Sequence, residues 1–346
     1  MMRKLLLGVA AAAVAFVGAA QAAETVDGPR VHWNYALWGK PRAVTTALEN
    51  MAKWLPEKTG GKFTLQLHWG TLSPAKSIPD GLKLGAFQGG SYCAPYYPAK
   101  FPAFTGLDLP FLPIANLDQL RAVTDAYMTD PVLVKEAKKW NTRYHMASLL
   151  PLYEVVGKGT PPKHLEDWKG MRIRALGAQG SAMAKLGAVP TSVPAPEVYV
   201  SLDRGLIDAA AFAYYAHDSY RTWELGNWFT SGLALGSIHC GSLWNIDAYN
   251  SLPKQYQALL SEFDNEPEGY PAQIAALNAA EGAMPAKFIE RGLTEVKINP
   301  EERAQFVEAA GKPVWAEWVA KMNETGYDGQ RLMNLILELA EKSKNL

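Results

Sequence analysis

The six histidines, His32, His68, His145, His164, His217 and His239, show none of the spacings that hold a zinc ion, and Cys93 and Cys240 form no C-x-x-C pair. A nucleophile elbow reads G-x-S-x-G; Gly89-Gly90-Ser91-Tyr92-Cys93 comes nearest and lacks the last glycine. Neither a phosphate-cradling loop nor a G-x-G-x-x-G turn occurs. The chain is therefore read as a non-enzyme with no metal and no cofactor, although dispersed residues can still assemble a catalytic site in space. Aromatic side chains are the ones in surplus, with 11 tryptophans and 15 tyrosines. Trp33, Trp38, Trp69, Tyr92, Tyr214 and Tyr215 fall where predicted strands run into loops, and ligands of α/β domains gather at the carboxyl ends of strands. One such ring usually fills a core. As a set they predict a pocket with flat, apolar walls.

The elements that position these rings follow from periodicity. Val31 to Tyr35 and the alternating run Phe63 to Trp69 read as strands, with a helix over Ala43 to Leu55 stopped by Gly60-Gly61. Pro79 to Leu84 reads as a short helix, and Gly89 to Tyr92 as a strand end. Leu117 to Trp140 carries helical periodicity, and Tyr144 to Val156 is one apolar strand-like run. Met171 to Ala175 is a further strand, followed by helices near Ser181 to Leu186 and Pro196 to Gly205 and an apolar strand from Ile207 to Tyr215. Beyond Pro271 the pattern is helical almost throughout, over Ile274 to Arg291, Glu301 to Met322 and Asp328 to Lys342. Strands alternating with helices define an α/β layered protein.

The first 22 residues have the form of an export signal: Arg3-Lys4, an apolar core from Leu5 to Val17, and small residues at Ala20 and Ala22. That core is shorter than the roughly 20 residues needed to span a bilayer, so cleavage after Ala22 and a secreted, periplasmic product are expected. Without Arg3 and Lys4 the chain keeps 32 Lys+Arg against 34 Asp+Glu, a net charge of −2. Such a surface offers no basic stripe for nucleic acid and no polybasic run for an anionic membrane. The length predicts two domains. An oxidising compartment permits a bridge between Cys93 and Cys240, but nothing in their spacing demands one, and two isolated buried thiols are the preferred reading.

One region is more specific. The run LEDWKGMRIRALG, and after a gap LGAVPTSVPAPEVYVSLDRGLIDAA, resembles the signature of the DctP-type solute-binding proteins of TRAP (tripartite ATP-independent periplasmic) transporters. The matching positions include Gly170, Ile173, Arg174, Gly187, Ala188, Pro190, Glu197, Val198, Tyr199, Leu202, Gly205 and Asp208. Pro110-Phe111-Leu112 and Gly70-Thr71-Leu72 add weaker similarity. The resemblance implies an α/β, two-lobed periplasmic binding protein fold with a long lobe-spanning helix and a helical C-terminal region. On that reading residues 23–150 with roughly 237–285 form one lobe. Residues 151–236 with roughly 286–346 form the other lobe and the bracing helices.

The same resemblance implies that Arg174 binds a substrate carboxylate, which suits a guanidinium's parallel N–H donors. Arg172 is read as a surface ion pair. Where the family often carries an asparagine for polar substrates this chain has Phe212, and a common acidic position is Gln88. Losing a polar partner and gaining a ring disfavours a highly oxygenated dicarboxylate. The expected ligand is an aromatic or hydrophobic monocarboxylate held by Arg174 against Trp38, Tyr92, Phe212 and Tyr215. A receptor for a C4-dicarboxylate or sugar acid, or a secreted enzyme acting on organic acids, is the alternative. The expected partners are the ligand and the transporter's membrane subunits, with the receptor itself a monomer.

Overall fold

Alternation decides the first sheet. In β2 (Phe63–Trp69), Phe63 and Leu65 point into the core while Thr64 and Gln66 face outward. The strand pairs in parallel with β1 (Val31–Leu37) over its full length. β1 pairs in parallel with β3 (Gly89–Cys93), and β10 (Cys240–Asn245) enters antiparallel between β3 and β4 (Thr142–Ser148). The order is β2-β1-β3-β10-β4. Trp33, Phe63 and Trp244 pack at ring separations of 5.2 and 5.3 Å beneath it. The second sheet runs β11-β9-β5-β8-β6-β7, built from β5 (Glu154–Gly157), β6 (Arg172–Arg174), β7 (Val189–Thr191), β8 (Ala209–Phe212), β9 (Trp228–Ser231) and β11 (Thr294–Lys297).

These assignments come from a computed structural model that describes residues 25–346, so the expected leader over residues 1–22 lies outside the described residues. Each sheet is the centre of one lobe. The chain passes between lobes from β4 to β5, from β9 to β10, and along the helix Tyr270–Glu290, which packs on elements of both. Tyr270 and Gln273 at its start bond to the backbone of Ala147 and Leu149, while Glu281 further along accepts from Tyr214 N and Tyr215 N. The chain ends in helices Pro300–Phe306, Lys312–Glu324 and Gly329–Lys342, with a π-helical turn at Val307–Gly311. Trp315 donates to Pro110 O, Trp318 donates to Thr105, and Lys185 pairs with Glu317, so these helices brace both lobes.

Prolines cut several elements that periodicity runs together. Leu117 to Trp140 is two helices, Leu117–Tyr127 and Pro131–Lys139, because Pro131 cannot donate into a continuing helix. The run Tyr144 to Val156 is likewise two strands, one per lobe, parted around Pro151. Only Ala209–Phe212 of the run to Tyr215 is strand; Tyr214–Ser219 is helical.

The cysteine reading is corrected. Cys93 and Cys240 face each other across β3 and β10, with Cα atoms 3.9 Å apart, and form a disulfide. Their separation of 147 residues hid the pairing, which exists only once two distant strands align.

Candidate ligand-binding site

β6 is short, and its two arginines meet different fates. Arg172 is exposed and pairs with Asp208, Nε to Oδ2 at 2.9 Å, which holds the Asp208 carboxyl below its ordinary range. Arg174 is 1% exposed. Its Nη1 donates to Ala211 O at 2.8 Å and its Nε to Val193 O at 3.3 Å. The guanidinium carbon lies 4.1 Å from the centre of the Phe212 ring. Among the described residues no carboxylate pairs with Arg174, and its Nη2 has no acceptor. An isolated buried charge is costly unless an opposite charge completes it.

Arg174 lines an inner cavity of about 50 Å³ between the lobes. Trp38, Tyr92, Phe212 and Tyr215 line it too, so all five residues singled out from sequence converge there. The cavity is narrow, with room for only a few waters, and it shares Trp38, Arg42 and Tyr220 with a larger basin. Its apolar side is made by Val44, Leu150, Leu176, Ile238 and the Cys93–Cys240 disulfide. Trp33 and Tyr214, also expected near the cleft, do not line it: Trp33 lies in the first lobe's core, and Tyr214 Oη donates to Thr230 O. Gln88 precedes β3 and accepts from Asn34 N at 2.9 Å.

Arg42, Tyr153 and Tyr220 are among the lining residues that escaped the sequence reading. Tyr220 stacks on the face of Phe212, centroids 5.6 Å apart at 18°. Burial pushes the phenols of Tyr153, Tyr215 and Tyr220 above their ordinary value, which keeps them protonated donors. None of the three hydroxyls has a partner among the described residues, and Tyr220 Oη is fully shielded from solvent. The hydroxyl of Tyr92, by contrast, is committed to His239 Nε2 at 2.6 Å. Burial holds His239 neutral, its imidazole pushed down to about 3. Tyr92 therefore presents mainly its ring.

Trp38, Arg42 and Tyr220 also border an outer basin of about 900 Å³, edged by Lys40, Lys76 and Glu197. Contacts cross from lobe to lobe around it. Ala195 N donates to Tyr96 Oη at 3.0 Å, Lys76 Nζ approaches Ser192 O at 3.4 Å, and Arg42 lies 5.8 Å from the Tyr220 ring centre.

Two α/β lobes closing on a buried cation define a solute-binding receptor. The chain belongs to the bacterial extracellular solute-binding protein family 7, the DctP-type receptors of TRAP transporters, whose model matches residues 37–322. It is similar to a monocarboxylate 2-oxoacid-binding periplasmic protein of Nostoc sp., 26% identical over 343 residues, covering 87% of this chain and 89% of the relative. Its fold resembles that of a TRAP solute-binding protein of Rhodoferax ferrireducens solved with copurified benzoate, at a TM-score of 0.79 and 21% identity, covering 91% and 99% of the two chains. It also resembles a marine metagenome TRAP solute-binding protein solved with 3-hydroxybenzoate, at a TM-score of 0.79 and 20% identity with the same coverage. No helix among the described residues is long and apolar enough to cross a membrane.

Proposed function

We infer that this chain is a monomeric periplasmic receptor that captures a small monocarboxylate with an aromatic or branched apolar body and hands it to TRAP membrane subunits. The observation that carries the reading is Arg174, a cation buried between the lobes with no carboxylate partner among the described residues and with Phe212 against its face. A bound carboxylate supplies the missing charge, and the ligand's body lies along Trp38, Tyr92, Phe212 and Tyr215. The aromatic acids held by the Rhodoferax and metagenome proteins, and the monocarboxylate of the Nostoc relative, support the same chemistry. The lobes divide near residues 150 and 236, where β4 passes towards β5 and β9 towards β10, and closure about these crossings buries the ligand. The chain acts by binding alone and returns its ligand unchanged.

Calorimetry with paired acids tests this. An arylacetate is expected to bind at least about tenfold tighter than succinate, a gap of about 1.4 kcal/mol, at one-to-one stoichiometry. Tighter binding of succinate overturns the apolar-wall reading. Product in excess of protein, seen by mass spectrometry of the recovered acid, overturns the receptor reading.

A further inference from the structure

We propose that Glu281 is a positioning residue for ligand capture: from the helix that both lobes share, its carboxylate holds the segment carrying Phe212, Tyr215 and Tyr220, and protonation loosens that hold. The proposal rests on the inner cavity being the ligand site, whatever acid fills it. Phe212, Tyr215, Ala216 and Tyr220 line that cavity from the second lobe, all within the stretch 212–220. The chain turns there from strand to helix, so the amides of Tyr214 and Tyr215 lie in a first turn and have no partner inside the helix. Glu281 supplies both: Tyr215 N donates to Oε1 at 2.7 Å and Tyr214 N to Oε2 at 3.1 Å. Each oxygen serves one amide. A protonated carboxyl, with one oxygen turned hydroxyl, is a poor acceptor for one of the two. The start of the same helix is fixed to the first lobe. Tyr270 Oη accepts from Ala147 N, Gln273 Oε1 accepts from Leu149 N, and Gln273 Nε2 donates to Val44 O. Val44, Ser148 and Leu150 line the cavity from that side. The helix is thus a strut with one fastening on each wall, Glu281 standing about 12 Å along it from Gln273.

Glu281 is half-buried and borders a cleft of about 320 Å³ at the hinge, lined by Pro151, Ala234, Ser237 and Asn278 from the three lobe crossings. Protons reach it by that route. Burial raises its carboxyl to about 7 against the pull of the two amides, and the charge of Glu154 on β5 adds to the rise. Glu154 accepts from Thr230 Oγ1, Gly232 N and Ala234 N, and Arg303 lies near it. Burial keeps the phenols of Tyr214 and Tyr215 protonated; Glu295 on β11, paired with Lys297, acts on the first, and Arg42 on the second. His217 is held neutral by burial between Thr222 and Glu154 O, and Asp218 lies a turn beyond Tyr214. On its own helix Lys287 and Glu290 lie at least about 9 Å further along. Glu49 and Lys53 flank Asn50, which bonds Glu268 O ahead of the helix start. The sign separates a holding role from a charge effect. The field of an ionised Glu281 repels a bound anion, so by itself it makes affinity rise as pH falls. Holding the wall makes affinity fall as pH drops through 7, because capture then favours the ionised carboxylate.

The test is calorimetry of the full chain with phenylacetate at about pH 6 and about pH 8.5, on wild-type protein, Glu281→Gln and Glu281→Asp. Amide hydrogen exchange over residues 213–220 is measured alongside in the unliganded proteins at the higher pH. Wild-type affinity is expected to be at least about tenfold weaker at the lower pH, and Glu281→Gln, which cannot ionise, to bind weakly at both with a ratio within about twofold. Glu281→Asp should retain a pH dependence. Glu281→Gln should also lose exchange protection over 213–220 while the helix from residue 270 keeps it. Wild-type affinity that stays level or rises at the lower pH overturns the role. So does an unchanged pH ratio, or unchanged protection over 213–220, in Glu281→Gln. If Glu281→Gln does not fold, Glu281→Asp decides, and an affinity and pH ratio equal to wild type overturn the role. If phenylacetate does not bind the wild-type protein, the aromatic-acid reading falls, and the exchange result alone decides for or against Glu281.

Discussion

Arg174 combines three conditions that rarely meet in one side chain: charge, near-complete burial, and partners that are only backbone carbonyls and a ring. Replacing it by alanine is expected to weaken binding of the cognate acid by about 2–5 kcal/mol. Lysine should recover only part, because a single ammonium cannot reach two carbonyls and still present a fork. Titration of both variants checks this, and near-wild-type affinity in Arg174→Ala would place the anchor elsewhere. The sequence pointed to Arg174 because it stands inside a recognisable motif, and to Trp38, Tyr92 and Tyr215 because they flank predicted strand ends. Arg42, Tyr153 and Tyr220 carry no such mark. A signal for Arg42 did exist, since it lies four residues beyond Trp38 in the loop after β1. Its place in the cavity wall depends on a loop of one lobe facing a helix end of the other, and no local pattern encodes that.

Among elements, β10 was the hardest to see. All six of its residues are buried, so it lacks the alternation that exposed β2, and its partners lie far away in the chain. Long periodic stretches such as Tyr270–Glu290 were plain, while short apolar runs near prolines were cut or retyped by context. The disulfide between β3 and β10 closes a very long loop and stands in the cavity wall. Replacing both cysteines by alanine is expected to lower unfolding stability by about 2–5 kcal/mol, read from whole denaturant unfolding curves, with a steeper slope as the denatured chain expands. A midpoint equal to wild type would mean that strand pairing alone holds this edge.

Across the whole molecule, buried titratable groups set opposing pH slopes. Burial pushes His145, His217 and His239 down to about 3, so below the ordinary imidazole value near 6.5 the unfolded chain takes up protons that the native protein refuses. Stability then falls as pH drops. Burial raises Glu136 and Glu281 to about 7 and Asp264 to about 8, so the native protein keeps protons that the unfolded chain releases above about 4.5. Stability then falls as pH rises through 7 and 8. His145 and Asp264 lie 3.5 Å apart, and burial disfavours the charged form of each. The melting temperature is expected to peak between about pH 4.5 and 6.5. A steady rise from pH 5 to 8 in scanning calorimetry would contradict these directions. The position of β10 between β3 and β4 also imposes an order in time. Synthesis runs from the N-terminus, so β3 and β4 wait with unsatisfied facing edges, and Cys93 waits without its partner, until residue 245 has been made. By then five of the second sheet's six strands, all but β11, have already been synthesised. The first sheet is thus closed only after most of the second has been made, and in the interval the facing edges of β3 and β4 are open to wrong pairing.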